Sequence, residues 1–149
     1  MLRRTLLGLL ALVCAGWFGP VSQAQDAPAD LKPSTAAVRK AVLAVIEGQL
    51  AAFREQKPEA AYDFAAPALR TALPLPRFLS VVKSGYPEIW TNQQASFGVV
   101  RDSGERATVA VKVQGAEGSA SYDYILLKVA VGWRIGGVLR HVLQADQAL

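Results

Sequence analysis

Cysteine is almost missing from this chain: Cys14 is the only one in 149 residues. It falls inside a stretch that reads as a removable leader, so the rest of the chain can form neither a disulfide nor a thiolate metal site. Histidine is equally scarce, with His141 alone. Zinc-type ligation needs several converging side chains, and one histidine without cysteine does not supply them. No metal and no cofactor are expected. Runs of like charge are absent too. The formal net charge is +4, but Arg3 and Arg4 lie in the leader, and without them 14 basic residues face 12 acidic ones. With no Lys/Arg cluster or stripe, a nucleic-acid partner is excluded. There is no Gly-x-Ser-x-Gly elbow, which excludes the usual serine-hydrolase arrangement, and no phosphate-cradling glycine loop.

What the chain does have is apolar material, 52% of its residues. The first share of it, residues 1–24, has the three zones of a secretory signal peptide. Arg3 and Arg4 open it, Leu6–Val13 is the apolar stretch, and Ser22-Gln23-Ala24 offers small residues for cleavage after Ala24. The competing reading is a retained membrane anchor. The apolar stretch falls short of the roughly 20 residues a span requires, and Gly19-Pro20 interrupts it. An exported protein, periplasmic or extracellular, with no membrane span in the mature chain is therefore expected. A lipoprotein would need a small residue before Cys14, where Val13 stands. Arg3-Arg4 leaves the twin-arginine route open beside the general one. Residues 25–33, with two prolines and two aspartates, read as a flexible linker. One domain over residues 34–142 follows, then a short tail, 143–149. The mature length, about 125 residues, fits a single domain.

The domain divides into a helical half and a strand half. Ser34 or Thr35 suits the cap of a long helix reaching about Gln56. Within it Val38, Val42, Val45, Ile46, Leu50 and Phe53 recur at three- and four-residue steps and form one apolar stripe. Lys57-Pro58 stops it, and Pro58–Ala65 reads as a short helix with proline in its first turn. A further turn is expected at Ala68–Ala72, then a helix over Arg77–Ser84 ended by a left-handed Gly85. Beyond the crossing Tyr86–Trp90, four runs rich in Val, Ile, Leu, Tyr and Trp predict an antiparallel meander: Ala95–Val100, Arg106–Gln114, Ser121–Val129 and Gly132–Val142. Asp102-Ser103-Gly104 is the first turn. Both faces of Ser121–Val129 are apolar, so this strand is placed centrally, with Ile125, Leu127 and Val129 toward the core. In the last run Trp133, Ile135 and Leu139 alternate with Arg134, Val138 and Arg140, and Gly136-Gly137 marks a bulge or bend. The fold class is α+β: N-terminal helices packed on a curled, mainly antiparallel four-stranded sheet.

That order of elements resembles the nuclear-transport-factor-2-like (SnoaL-like, cystatin-like) cone. The stretch from Ile46 to Phe53, followed by Ala60-Ala61-Tyr62-Asp63-Phe64-Ala65-Ala66-Pro67, looks like that superfamily's helix pair. Gly85-Tyr86-Pro87 and Gly132-Trp133-Arg134-Ile135 look more particularly like domain-of-unknown-function family 4864. The likeness covers about Val38–Arg140. It implies a fold and no one activity, since the superfamily includes isomerases, cyclases, dehydratases, adaptors and lipid carriers.

The residues offer little for catalysis. His141 ends the last strand and reads as a solvated surface residue. Asp63 and Asp123 lie nearest apolar neighbours, and a proton-abstracting site would need one of them inside the cone beside Tyr62, Tyr122 or Tyr124. Neither sits in a constellation with matched partners, so no catalytic residue is assigned. The aromatics Tyr62, Phe64, Phe78, Tyr86 and Trp90 roof the cone. Core packing is the plain role for them, and lining an apolar ligand pocket is the functional one. Three functions stay open: non-enzymatic binding of a small apolar ligand or lipid, a scaffold forming a homodimer through the sheet, and, ranked lower, a small-molecule isomerase or dehydratase.

Overall fold

A computed structural model describes residues 30–141; the expected leader and tail lie outside the described residues. Strand β1 (Lys32–Pro33) comes first. Helices α1 (Ala36–Arg54), α2 (Pro58–Tyr62), α3 (Pro67–Ala72), α4 (Leu75–Gly85) and α5 (Pro87–Trp90) follow. The chain then enters β2 (Gln94–Phe97), β3 (Arg101–Asp102), β4 (Arg106–Gly115), β5 (Gly118–Val129) and β6 (Gly132–Arg140). The α+β architecture stands, with the helices laid on one face of a curled, unclosed antiparallel sheet.

Local chemistry explains most boundaries. The Thr35 hydroxyl accepts from the Val38 N–H at 3.3 Å and caps α1. At its other end Gln56 turns left-handed, with φ +60°. The Gln56 N–H donates to the Phe53 carbonyl and the Lys57 N–H to that of Ala52. These two bonds satisfy orphan carbonyls in a Schellman arrangement, here without the usual glycine. Each of α2, α3, α4 and α5 carries proline in its first turn, where a missing N–H costs nothing. Helix α2 is shorter than expected because Phe64–Ala66 leaves it to pair with β6. The Ile135 N–H donates to the Phe64 carbonyl at 2.8 Å, and the Ala66 N–H to that of Ile135 at 2.7 Å. Gly85 is not a left-handed cap: α4 ends on Tyr86 at φ −132°, because Pro87 directly starts the next helix.

The sheet runs β1-β3-β4-β5-β6, with β2 also pairing β4. Of the expected first strand, Ala95–Phe97 lies in β2 and Gly98–Val100 falls between strands, and β3 follows beyond its expected end; both β2 and β3 pair with β4. Part of the expected lead-in is ordered as well, since Lys32–Pro33 pairs with Arg101–Asp102 and the Ser34 hydroxyl donates to the Asp102 carboxylate. The turn after β3 forms as expected: Gly104 adopts φ +91° and its N–H donates to Asp102 Oδ1 at 2.9 Å.

Two face assignments are corrected. In β5 the core takes Tyr122, Tyr124 and Leu126, all fully buried. Ile125, Leu127 and Val129 lie on the outer face, half-buried. The two tyrosines win the inner positions because they sit opposite Val111 and Val109 of β4, and their hydroxyls find partners inside. In β6 the register slips between Ile125 and Leu126: Ile125 pairs with Gly137 and Leu126 with Ile135. Gly136 is the extra residue of a bulge, and beyond it the alternation changes phase. Trp133 and Ile135 are buried as expected. After the bulge, however, Val138 and Arg140 join the inner face opposite Tyr124 and Tyr122, while Leu139 turns outward beside Asp123. The core closes with Val42, Ile46, Leu50 and Phe53 of α1 against this concave face.

Candidate functional site

An apolar pocket of about 210 Å³ opens where α1, α4 and the crossing to α5 meet the bent half of β6. Phe53 comes from the last full turn of α1, and Phe78 and Val82 from one face of α4. Ile135 and Val138 bracket the bulge. The pocket lies against the bulge, with Ile135, Gly137 and Val138 in its wall. Its size suits one ring or a short alkyl chain.

The five candidate aromatics do not act together. Phe78 and Tyr86 line the pocket. Tyr86 is pinned by its hydroxyl, which donates to the Val138 carbonyl at 2.9 Å. Tyr62 is core: its ring packs on Phe78 at 5.0 Å, and its hydroxyl lies 2.9 Å from the carbonyls of both Arg70 and Leu73. Phe64 covers the far side of α1, its ring lying where a Gly48 Cβ would stand. Trp90 packs on Phe53 and faces a separate, larger surface groove shared with Arg54, Gln56 and Gln93.

The polar groups near the concave face fall into two sets. In the first, Glu88 accepts from the Tyr122 hydroxyl at 2.5 Å and from Arg140 Nη2 at 2.9 Å. Burial opposes ionisation of Glu88, but the bonds from Tyr122 and Arg140 outweigh it and hold the carboxyl below its ordinary 4.5. Burial first, and then the Glu88 carboxylate, push Tyr122 far above its usual range. Each group's charge state is therefore locked, which suits a clamp between α5 and the sheet and does not suit proton transfer near neutral pH. In the second set, the fully buried Tyr124 places its hydroxyl 3.4 Å from Oε1 of Gln49, itself 4% exposed.

The other titratable candidates lie elsewhere. Asp63 is exposed after α2. Asp123 is on the outer sheet face, where it meets Nδ1 of His141 at 2.8 Å. His141 is thus a surface residue with a carboxylate partner. Neither aspartate approaches a tyrosine hydroxyl among the described residues, and no group of three metal-type side chains gathers there. Nor is any described helix long and apolar enough to cross a membrane.

Two residues were missed in the sequence. Gln49 left a signal: it interrupts the α1 stripe between Ile46 and Phe53, where a polar residue at a core-facing position asks for a partner or a role. Glu88 left none, because its partners come from strands distant in the chain. A family model described as "Domain of unknown function (DUF4864)" matches residues 35–148. No curated protein and no solved structure matches.

Proposed function

We propose, for a chain that belongs to the family described as domain of unknown function DUF4864, that the domain binds a small apolar ligand without transforming it. The observation that carries this reading is the pocket itself, with a wall built from Phe53, Phe78, Val82, Ile135 and Val138. Ligand sites favour such concave apolar places with very few polar groups. The curled sheet over a long helix supports placing the chain with the nuclear-transport-factor-2-like superfamily. The leader sequence supports a site of action outside the cytoplasm, in the periplasm or beyond. A reaction is disfavoured because Glu88, the carboxylate nearest the tyrosines, is already committed to Tyr122 and Arg140.

Titration of isotope-labelled protein with α-methylstyrene, followed by NMR, tests the pocket. Signals of Phe78, Val82, Ile135 and Val138 should shift together and saturate. Absence of saturable shifts at those residues would overturn the reading.

A second reading, interaction through the sheet, draws on the outer face. Ile125, Leu127 and Val129 are only half-covered there, and Leu139 is 59% exposed. If that face joins two copies, Leu139→Asp should shift sedimentation from dimer to monomer; a wild-type protein that sediments as a monomer at high concentration would dismiss the idea.

A further inference from the structure

Gln49 is 4% exposed and lines the apolar pocket. Side chains of this kind are kept in cores only when hydrogen-bonded, because an unpaired amide is costly to bury. Its carbonyl oxygen has one bond, the 3.4 Å contact from the Tyr124 hydroxyl. That hydroxyl is a dependable donor, since burial keeps it protonated far beyond neutral pH. With Oε1 turned to Tyr124, the amide Nε2 has no bond to any described residue. No side-chain nitrogen or oxygen that is sealed off among the described residues lacks a partner, so Nε2 keeps accessible surface, and Gln49 is a lining residue of this pocket. The pocket thus has an apolar wall and one oriented N–H donor. A second polar lining group, the Tyr86 hydroxyl, is already spent on the Val138 carbonyl.

We infer that the ligand is a neutral apolar molecule carrying one hydrogen-bond acceptor oxygen, of ketone, aldehyde or ester type, which accepts from Gln49 Nε2. The inference rests on the pocket being a ligand site. An anionic head is disfavoured, because no cationic side chain lines this pocket and an unpaired carboxylate is strongly penalised in such surroundings. Tyr124 acts as a positioning residue: it fixes which end of the Gln49 amide faces the ligand.

A matched pair of probes separates this inference from the pocket reading. Acetophenone and α-methylstyrene have nearly the same shape, and differ in a carbonyl oxygen against a methylene. NMR titration should show both saturating the same pocket signals, with acetophenone about fivefold tighter, the scale of one neutral hydrogen bond. Gln49→Leu should keep α-methylstyrene binding and lose or reverse the acetophenone preference. Retained α-methylstyrene binding also reports that the variant is folded; should the leucine variant fail to fold, Gln49→Met serves in its place. Equal affinity of the wild type for both probes, or a preference unchanged in the variant, overturns the inference while leaving the pocket standing. If neither probe binds, the pocket reading falls and the inference falls with it.

Discussion

At the scale of single residues, Trp133 and Glu88 make opposite demands. Trp133 was legible: it stands two residues from Ile135 in an alternating run, and both are buried. Trp133→Ala should cost about 3–5 kcal/mol, the range for truncating a buried aromatic. Arg134 points outward, and its alanine variant should stay within about 0.5 kcal/mol of the wild type. Chemical denaturation of the two variants decides this, and equal midpoints would contradict the assignment of strand faces. Glu88 was not legible, because its role arises only when α5 is laid across Tyr122 and Arg140. Its carboxyl ionises more readily folded than unfolded. The stability it contributes is therefore complete above about pH 4.5, its ordinary value, and is lost as pH falls through the lower folded value. Glu88→Gln should cost about 1–2 kcal/mol at neutral pH, the scale of a hydrogen bond to a charged group. It should also flatten the acid limb of a stability–pH curve. An acid limb identical to the wild type would show that the clamp contributes nothing. Arg140, which the alternation in the sequence set on the face opposite Trp133, belongs to this clamp.

Secondary-structure elements were read with uneven success, and chemistry sorts the outcomes. Proline starts, the Thr35 cap and the Asp102–Gly104 turn are local, so residues a few places apart suffice to specify them. The shortening of α2 and the break between β2 and β3 depend on partners far along the chain. The end of α1 is an instructive case: Lys57-Pro58 announces a stop, yet nothing local announces that Gln56 takes φ +60°. A left-handed glutamine is strained where glycine would not be. Gln56→Gly should therefore stabilise the domain by about 0.5–1 kcal/mol, read as a raised denaturation midpoint. A lowered midpoint would mean that the side chain makes a contact outweighing the strain.

For the molecule as a whole, the α+β class was legible because the two periodicities occupy separate halves of the chain. The pocket was legible only in Phe78 and Tyr86, since the rest of its wall comes from elements far apart in the chain. The leader motivates a prediction at the same scale: protein recovered from the cell envelope should begin at or near Gln25, as Edman sequencing or intact mass would show. Recovery only from the cytosol with Met1 retained would refute it. Such processing would leave β1 whole, because its first paired residue, Lys32, lies downstream of the cut. The bulge at Gly136 has a consequence for any comparison of related chains. It acts as a frameshift within β6: even spacing codes for the inside before it and odd spacing after it. A relative lacking that one residue would need no bulge, and would keep its equivalents of Val138 and Arg140 inward and that of Leu139 outward, each one place earlier in its chain. An ungapped alignment would then match inner residues with outer ones along the whole far half of the strand. A deletion variant lacking only Gly136 should keep Val138 and Arg140 on the inner face, and would test whether the domain tolerates β6 without its bulge.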